Sequence, residues 1–348
     1  MAAPRSSLTR TPRRLVAFLI AGSALLLSAC GTGTTSNAAS VVGVPATSIS
    51  VPLSQVACAD SNVCVAAGTS SAGIGPVSTA EFMTPRGHWH PVATPTSSDP
   101  LLTSTACEAT TCFLAGSQGR RDLLWRFDTT SHQITTAATP PGGLGVHAFT
   151  CDALDNCALI DLGANGVARF SFSADSAATW STPLAMTWAA GLTVTSLQCT
   201  TLFKCLATAT SAGRALLQGT IDGGISWYPL GGTSSSWTSL QLVWCHQRSC
   251  VALASGATSR VVYTRDQGVT WSSQSLRASA NALACTSSRR CVVAGTTKGE
   301  SPWLGFVSGA NVTVASLRYV PTPLLSVACG STRCAAIGVT TLLSFPTS

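Results

Sequence analysis

Leu325-Ser326-Val327-Ala328-Cys329-Gly330-Ser331-Thr332-Arg333-Cys334-Ala335-Ala336-Ile337-Gly338 is the stretch that decides the fold. An apolar run ends on a cysteine, four polar residues follow, and a second cysteine opens another apolar run. Two short apolar runs around a polar break read as the strands of a hairpin. A cysteine at each inner end of that hairpin can reach its partner across the turn.

The unit occurs seven times, at Cys58 and Cys64, Cys107 and Cys112, Cys151 and Cys157, Cys199 and Cys205, Cys245 and Cys250, Cys285 and Cys291, and Cys329 and Cys334. The first cysteines are spaced 49, 44, 48, 46, 40 and 44 residues apart. A period of this size marks a repeat architecture, and strand hairpins in every repeat choose a propeller among the options. Each short loop gives its disulfide only about 2 kcal/mol, so the bridges staple hairpins and do not tie repeats together. Zinc prefers two pairs at shorter spacing, and no metal or other cofactor is expected.

A second motif fills the other half of several repeats. Thr220-Ile221-Asp222-Gly223-Gly224-Ile225-Ser226-Trp227 and Thr264-Arg265-Asp266-Gln267-Gly268-Val269-Thr270-Trp271 follow one pattern, and Ser173 to Trp180 follows it with Ala177 in the glycine place. These segments resemble the Asp-box, or BNR, repeat of sialidase-like propellers. In such a turn an Asp carboxylate accepts backbone N–H groups, glycine tolerates positive φ and Trp packs below. Repeats 1, 2 and 6 hold degenerate versions near Trp89, Asp128 and Gly309.

The expected fold is therefore all-β: a seven-bladed β-propeller of four-stranded blades, A to D outward from the axis. The disulfide hairpin joins A to B, and the Asp-box turn joins C to D. The last repeat runs out after a third strand, Thr341 to Phe345. Ser40-Val41-Val42-Gly43-Val44-Pro45 is placed to supply its missing D strand, closing the last blade and covering an open edge.

The N-terminus reads as an export signal. A basic stretch precedes the apolar run Leu15 to Leu27, too short for a membrane-spanning helix. Leu27-Ser28-Ala29-Cys30 resembles the lipobox of bacterial lipoproteins, which implies lipidation of Cys30, the one cysteine outside the seven pairs. The expected organisation is a signal peptide over 1–29, the lipidated cysteine and tether over 30–38, and the propeller over 39–348. The expected location is the outer face of the cell membrane, held by the lipid anchor. Of 20 basic residues, Arg5, Arg10, Arg13 and Arg14 fall in the signal, leaving 16 against 13 acidic ones. That balance does not suggest nucleic acid, and a monomer is expected.

In a four-stranded meander the A–B and C–D turns share one end, and the B–C turns share the other. The B–C end carries Arg120, Arg121, Arg214, Arg260 and Lys298, which could converge on an axial depression and bind an anion. At the stapled end, Asp60, Glu108, Asp152 and Asp155 fall in blades 1 to 3, and Lys204, Arg248, Arg289, Arg290 and Arg333 in blades 4 to 7. That charge split could orient a protein partner. Sialidases use an arginine triad, a Tyr/Glu nucleophile pair and an Asp acid. No F/Y-R-I-P motif occurs, and neither a Ser/His/Asp nor a metal-ligand constellation. The preferred reading is a binding or scaffold module for a protein partner or an acidic glycan, with no catalytic residues assigned. Its plan is similar to the Asp-box propellers that assist assembly of photosynthetic membrane complexes. The alternative is a diverged sialidase-like hydrolase acting on glycans.

Overall fold

The computed structural model describes residues 40–45, 53–70, 77–95, 100–152, 154, 156–231, 233–309 and 311–347. The export signal, Cys30 with its tether, and Asp155 lie outside the described residues. Six four-stranded sheets and one five-stranded sheet make the seven blades. Each four-stranded sheet is an antiparallel meander with its strands in sequence order, as expected. The innermost A strands are Gln55–Cys58, Pro100–Cys107, Gly143–Cys151, Thr193–Thr201, Trp237–His246, Ser279–Ser287 and Leu324–Cys329.

Burial falls from the middle of each blade to its rim, and the residues follow. The B strands lie between A and C and pack against neighbouring blades on both faces, so they read as unbroken apolar runs. Phe113, Leu114 and Ala115 are wholly buried, as are Ala335, Ala336 and Ile337. The D strands are polar and mostly exposed, for example Gln133–Thr136 and Ser272–Ser275.

One irregularity recurs at the same phase. The A strands of blades 2 to 7 each carry a one-residue bulge, at Thr103, His147, Thr195, Thr238, Asn281 and Leu325. A bulge bends its strand and brings main chain close to the partner. At Gly116 an added Cβ would lie 1.9 Å from the Leu101 carbonyl oxygen, and at Gly295 2.0 Å from that of Ser279. Glycine near the end of strand B is what lets the bulged strand approach.

The ring closes as the sequence suggests. Ser40–Pro45 pairs antiparallel with strand C of blade 7, Thr341–Pro346, matching Gly43 to Leu343 and Pro45 to Thr341. Blade 7 differs from a four-stranded sheet in one respect. Ser316–Arg318, following blade 6, adds outside the N-terminal strand in parallel as a fifth strand. Ser40 therefore lies toward the C–D end of its blade, and Pro45 toward the B–C end. Asn62 joins blades 7 and 1 at the stapled end: its Oδ1 accepts the amides of Thr332 at 2.7 Å and Arg333 at 3.0 Å.

All seven disulfides form within their hairpins, with Cα atoms 3.9–4.1 Å apart. Ser173, Thr220 and Thr264, which open the aspartate turns, sit directly opposite the second cysteines Cys157, Cys205 and Cys250. Staples and aspartate turns thus share one end of the ring.

Candidate functional site

The A strands of all seven blades surround an axial cavity. Its inner chamber, about 490 Å³, is lined by Thr103 to Thr105, His147, Thr195 to Gln198, Ser239 to Val243, Ser326 and their neighbours. A wider mouth of about 670 Å³ opens at the stapled end, where Cys58, Cys107, Cys151, Cys285 and Cys329 line it beside Trp244 and Asp60. Among the described lining residues, His147 is the one titratable side chain of the inner chamber. The walls offer hydroxyls, amides and apolar faces.

Part of that polarity serves the ring. The Thr103 hydroxyl of blade 2 donates to the Val146 carbonyl of blade 3 at 2.6 Å. Thr195 of blade 4 does the same to Leu240 of blade 5 at 3.0 Å, and Asn281 of blade 6 to Leu324 of blade 7 at 2.8 Å. Three bulge residues in alternate blades therefore clamp the next blade. His147 and Gln198 also line the chamber and can meet a ligand.

The five cations stand elsewhere. Arg120 and Lys298 lie in B–C turns, while Arg121, Arg214 and Arg260 open the C strands that follow. All are exposed except Arg260, which is half-buried and donates to Ser273 at 3.2 Å. None lines the axial cavity. A turn between the second and third strands lies part-way along the blade radius, so it cannot bring an arginine to the axis.

At the stapled end, Asp60 is exposed but Glu108 is only 6 % exposed and accepts the Ser176 hydroxyl at 2.8 Å. Asp152 caps its own turn through the amides of Leu154 and Asn156. Glu108 lies near Cys151 and Cys157, but those sulfurs are bonded to each other and cannot ligate a metal.

The three aspartate turns share one hydrogen-bond pattern. Asp175, Asp222 and Asp266 accept the amides of Thr179, Ser226 and Thr270 at 2.8–3.0 Å, and hydroxyls on both sides. Ala177 replaces glycine without changing the pattern, adopting φ 61°. The hydroxyls and amides of Thr179, Ser226 and Thr270 hold the three carboxyls down at about 2. With their acceptor sites occupied by the turn, these carboxylates serve the fold.

One carboxyl behaves oppositely. Asp122 of blade 2 meets Asp161 and Arg169 of blade 3. Arg169 binds Asp161 in bidentate fashion at 2.8 and 2.5 Å, and the Gly145 amide donates to Asp122 at 2.8 Å. Burial, and next the Asp161 carboxylate, push the Asp122 carboxyl up to about 7. No sequence motif announces this cluster, because its members come from strand ends of two blades.

No family model matches the chain, and no curated protein sequence does either. Solved structures do match. YCF48 bound to D1 peptide has a TM-score of 0.61 and 13 % identity, over 88 % of this chain and 96 % of that one. YCF48 from Cyanidioschyzon merolae scores 0.62 at 12 % identity, over 87 % and 98 %. A catalytically inactive virginiamycin B lyase from Staphylococcus aureus, solved with quinupristin, scores 0.62 at 7 % identity, over 87 % and 98 %. At these identities the likeness is one of fold: the chain is a seven-bladed β-propeller.

Proposed function

We propose that this chain is a membrane-anchored, extracytoplasmic binding or scaffold module. The observation that carries the reading is the chemistry of the axial chamber. Its described lining holds hydrogen-bonding groups and apolar faces from seven blades, with His147 as its one titratable group. Such a chamber favours recognition by shape and hydrogen bonding. The binding of a peptide by one YCF48 structure supports a polypeptide partner.

The lipobox-like Leu27-Ser28-Ala29-Cys30 supports anchoring through Cys30. Arg120, Arg121, Arg214, Arg260 and Lys298, at the B–C end of the ring, would attract acidic partners. The aspartate turns are read as Asp-boxes that fix the C–D corners.

Two measurements test the reading. Labelled fatty acid should enter the wild-type protein in growing cells and be absent from Cys30→Ser. Crosslinking on intact cells should trap a partner that Gln198→Ala or His147→Ala releases. Turnover of a fluorogenic sialoside, lost on changing one chamber residue, would instead establish a hydrolase. Salt-sensitive binding of acidic glycans, lost in an Arg214→Ala, Arg260→Ala double variant, would assign the cations of the B–C end a role. Failure of every acidic glycan to bind at low salt would remove that role.

A further inference from the structure

The large apolar side chains left in water gather in one part of the ring. Nine are exposed among the described residues, and six stand at the stapled end of blades 3 to 5: Leu154, Phe203, Ile221, Ile225, Tyr228 and Val269. Single exposed apolar residues are ordinary, whereas a gathered set marks a contact surface.

The repeat sets their placement. Ile225 and Val269 hold the same position, one residue after the corner glycine, in blades 4 and 5. Blades are related by rotation about the ring axis, so equivalent corners rise to one level. Within blade 4 the hairpin supports the corner. The Gly223 amide donates to the Phe203 carbonyl at 3.1 Å, and a Cβ at Gly223 would lie 3.2 Å from the Phe203 ring. Phe203, Ile221 and Ile225, each more than half exposed, therefore crown one corner.

Cations edge this strip. Ile221 shares a shallow hollow with Lys204, Gln247 and Gln267, and the Gln267 amide donates to the Arg248 carbonyl at 2.9 Å. Arg265 and Arg289 line the next cleft, between blades 5 and 6. These four cations and Arg290 are exposed. Among the described residues, the carboxylates set against them at the stapled end of blades 4 to 6 are Asp222 and Asp266, whose acceptor sites the corners occupy.

We propose that the stapled end of blades 4 to 6 docks on an anionic phospholipid surface. The apolar tips would enter the boundary between headgroups and acyl chains, and the cations would stay among the phosphates. Long basic side chains suit that level, with apolar stems below and charged heads in the wet layer. A protein interface draws charged residues out of its core and fills it with aromatic ones. Here aliphatic tips on separate turns alternate with cations, which fits a fluid surface that moulds itself to each tip. The contact is non-covalent and depends neither on Cys30 nor on what the axial chamber binds.

The test is co-sedimentation of residues 38–348, the compact unit that contains every strand and disulfide of the ring, without its lipid. Vesicles of phosphatidylcholine with added phosphatidylglycerol should bind it, and vesicles of phosphatidylcholine alone should bind it at least tenfold less. An Ile225→Ser, Val269→Ser variant removes apolar surface without changing charge and should weaken binding about tenfold. Arg248→Glu with Arg289→Glu should weaken it by about as much or more. Arg120→Glu with Arg214→Glu, at the other end of the ring, should change it less than twofold. All three variants should melt with the wild type, since every changed side chain is exposed. Absence of binding to the anionic vesicles would overturn the proposal. So would binding indifferent to Ile225 and Val269, or equally sensitive to the two charge pairs, because either marks unoriented charge attraction. In growing cells, a photocrosslinking amino acid at position 225 should label phospholipid. Labelling of a protein instead would overturn the lipid surface in favour of a protein partner.

Discussion

Blades 5 and 7 share an inner build and differ at the rim. Each has a stapled A–B hairpin, a buried B strand and an antiparallel C strand. Blade 5 then turns through an aspartate corner into its own polar D strand. Blade 7 has no such corner: its fourth strand comes from the opposite end of the chain, and a fifth strand covers that one. The difference teaches that the three inner strands define a blade, while the outer position accepts any segment of suitable length and register. Where the corner supplies the outer strand, a covalent turn holds it. Where it does not, added pairing and burial take over, and Val41 is accordingly 3 % exposed.

The largest effect should follow removal of residues 39–45. Strand C of blade 7 would lose its outer partner, uncovering apolar surface around Leu343 and Phe345. Burial of two to three such side chains corresponds to about 5 kcal/mol, so thermal denaturation should show a large drop or an early separate transition. Removing residues 31–36 should change nothing, and equal melting of the two truncations would break the comparison.

Next come the staples. Replacing Cys329 and Cys334 by serine should cost about 2 kcal/mol in chemical denaturation, and replacing Cys245 and Cys250 about the same, because both close equally short loops. A much greater loss in blade 7 would mean that its staple also secures the borrowed strand.

Much of this fold is legible in the chain. Each repeat writes its own cysteine pair, and the missing strand of the last repeat points back to Ser40. What the sequence does not display depends on neighbours across blade boundaries. The bulges at Thr103, Thr195 and Asn281 look like ordinary strand residues until the next blade's carbonyl is in place. The extra strand Ser316–Arg318 reads as a connection, because its partner precedes it by most of the chain. The five cations fall at the B–C turns in sequence and in space, but distance from the axis is a property of the assembled ring.

A smaller effect should track pH. Asp122 titrates near 7 in the fold and near 4 when unfolded, so the native state holds its proton more tightly. Its contribution is full below about pH 4 and is lost as pH rises through about 7. Asp122→Asn, which cannot ionise, should flatten the stability profile between pH 5 and 8 and melt above the wild type at pH 8. An unchanged slope would remove the carboxyl pair as its cause.

The smallest effect belongs to the aspartate corners. Their carboxyls titrate near 2, below the unfolded value, so their contribution is present above about pH 4 and fades as pH falls through about 2. Asp222→Asn should lower the melting temperature slightly at neutral pH, with the gap closing in acid. A gap that persists at pH 2 would show that shape, and not charge, holds the corner.

The borrowed strand also orders events in time. Gly43 meets Leu343, 300 positions further along the chain, and contacts this far apart form slowly. Hairpins that close over a handful of residues can form first, blade by blade from the N-terminal side. During refolding, the amides of Ser40–Pro45 should therefore become protected from hydrogen exchange after those of every inner hairpin. The segment that leaves the ribosome early finds its partners last.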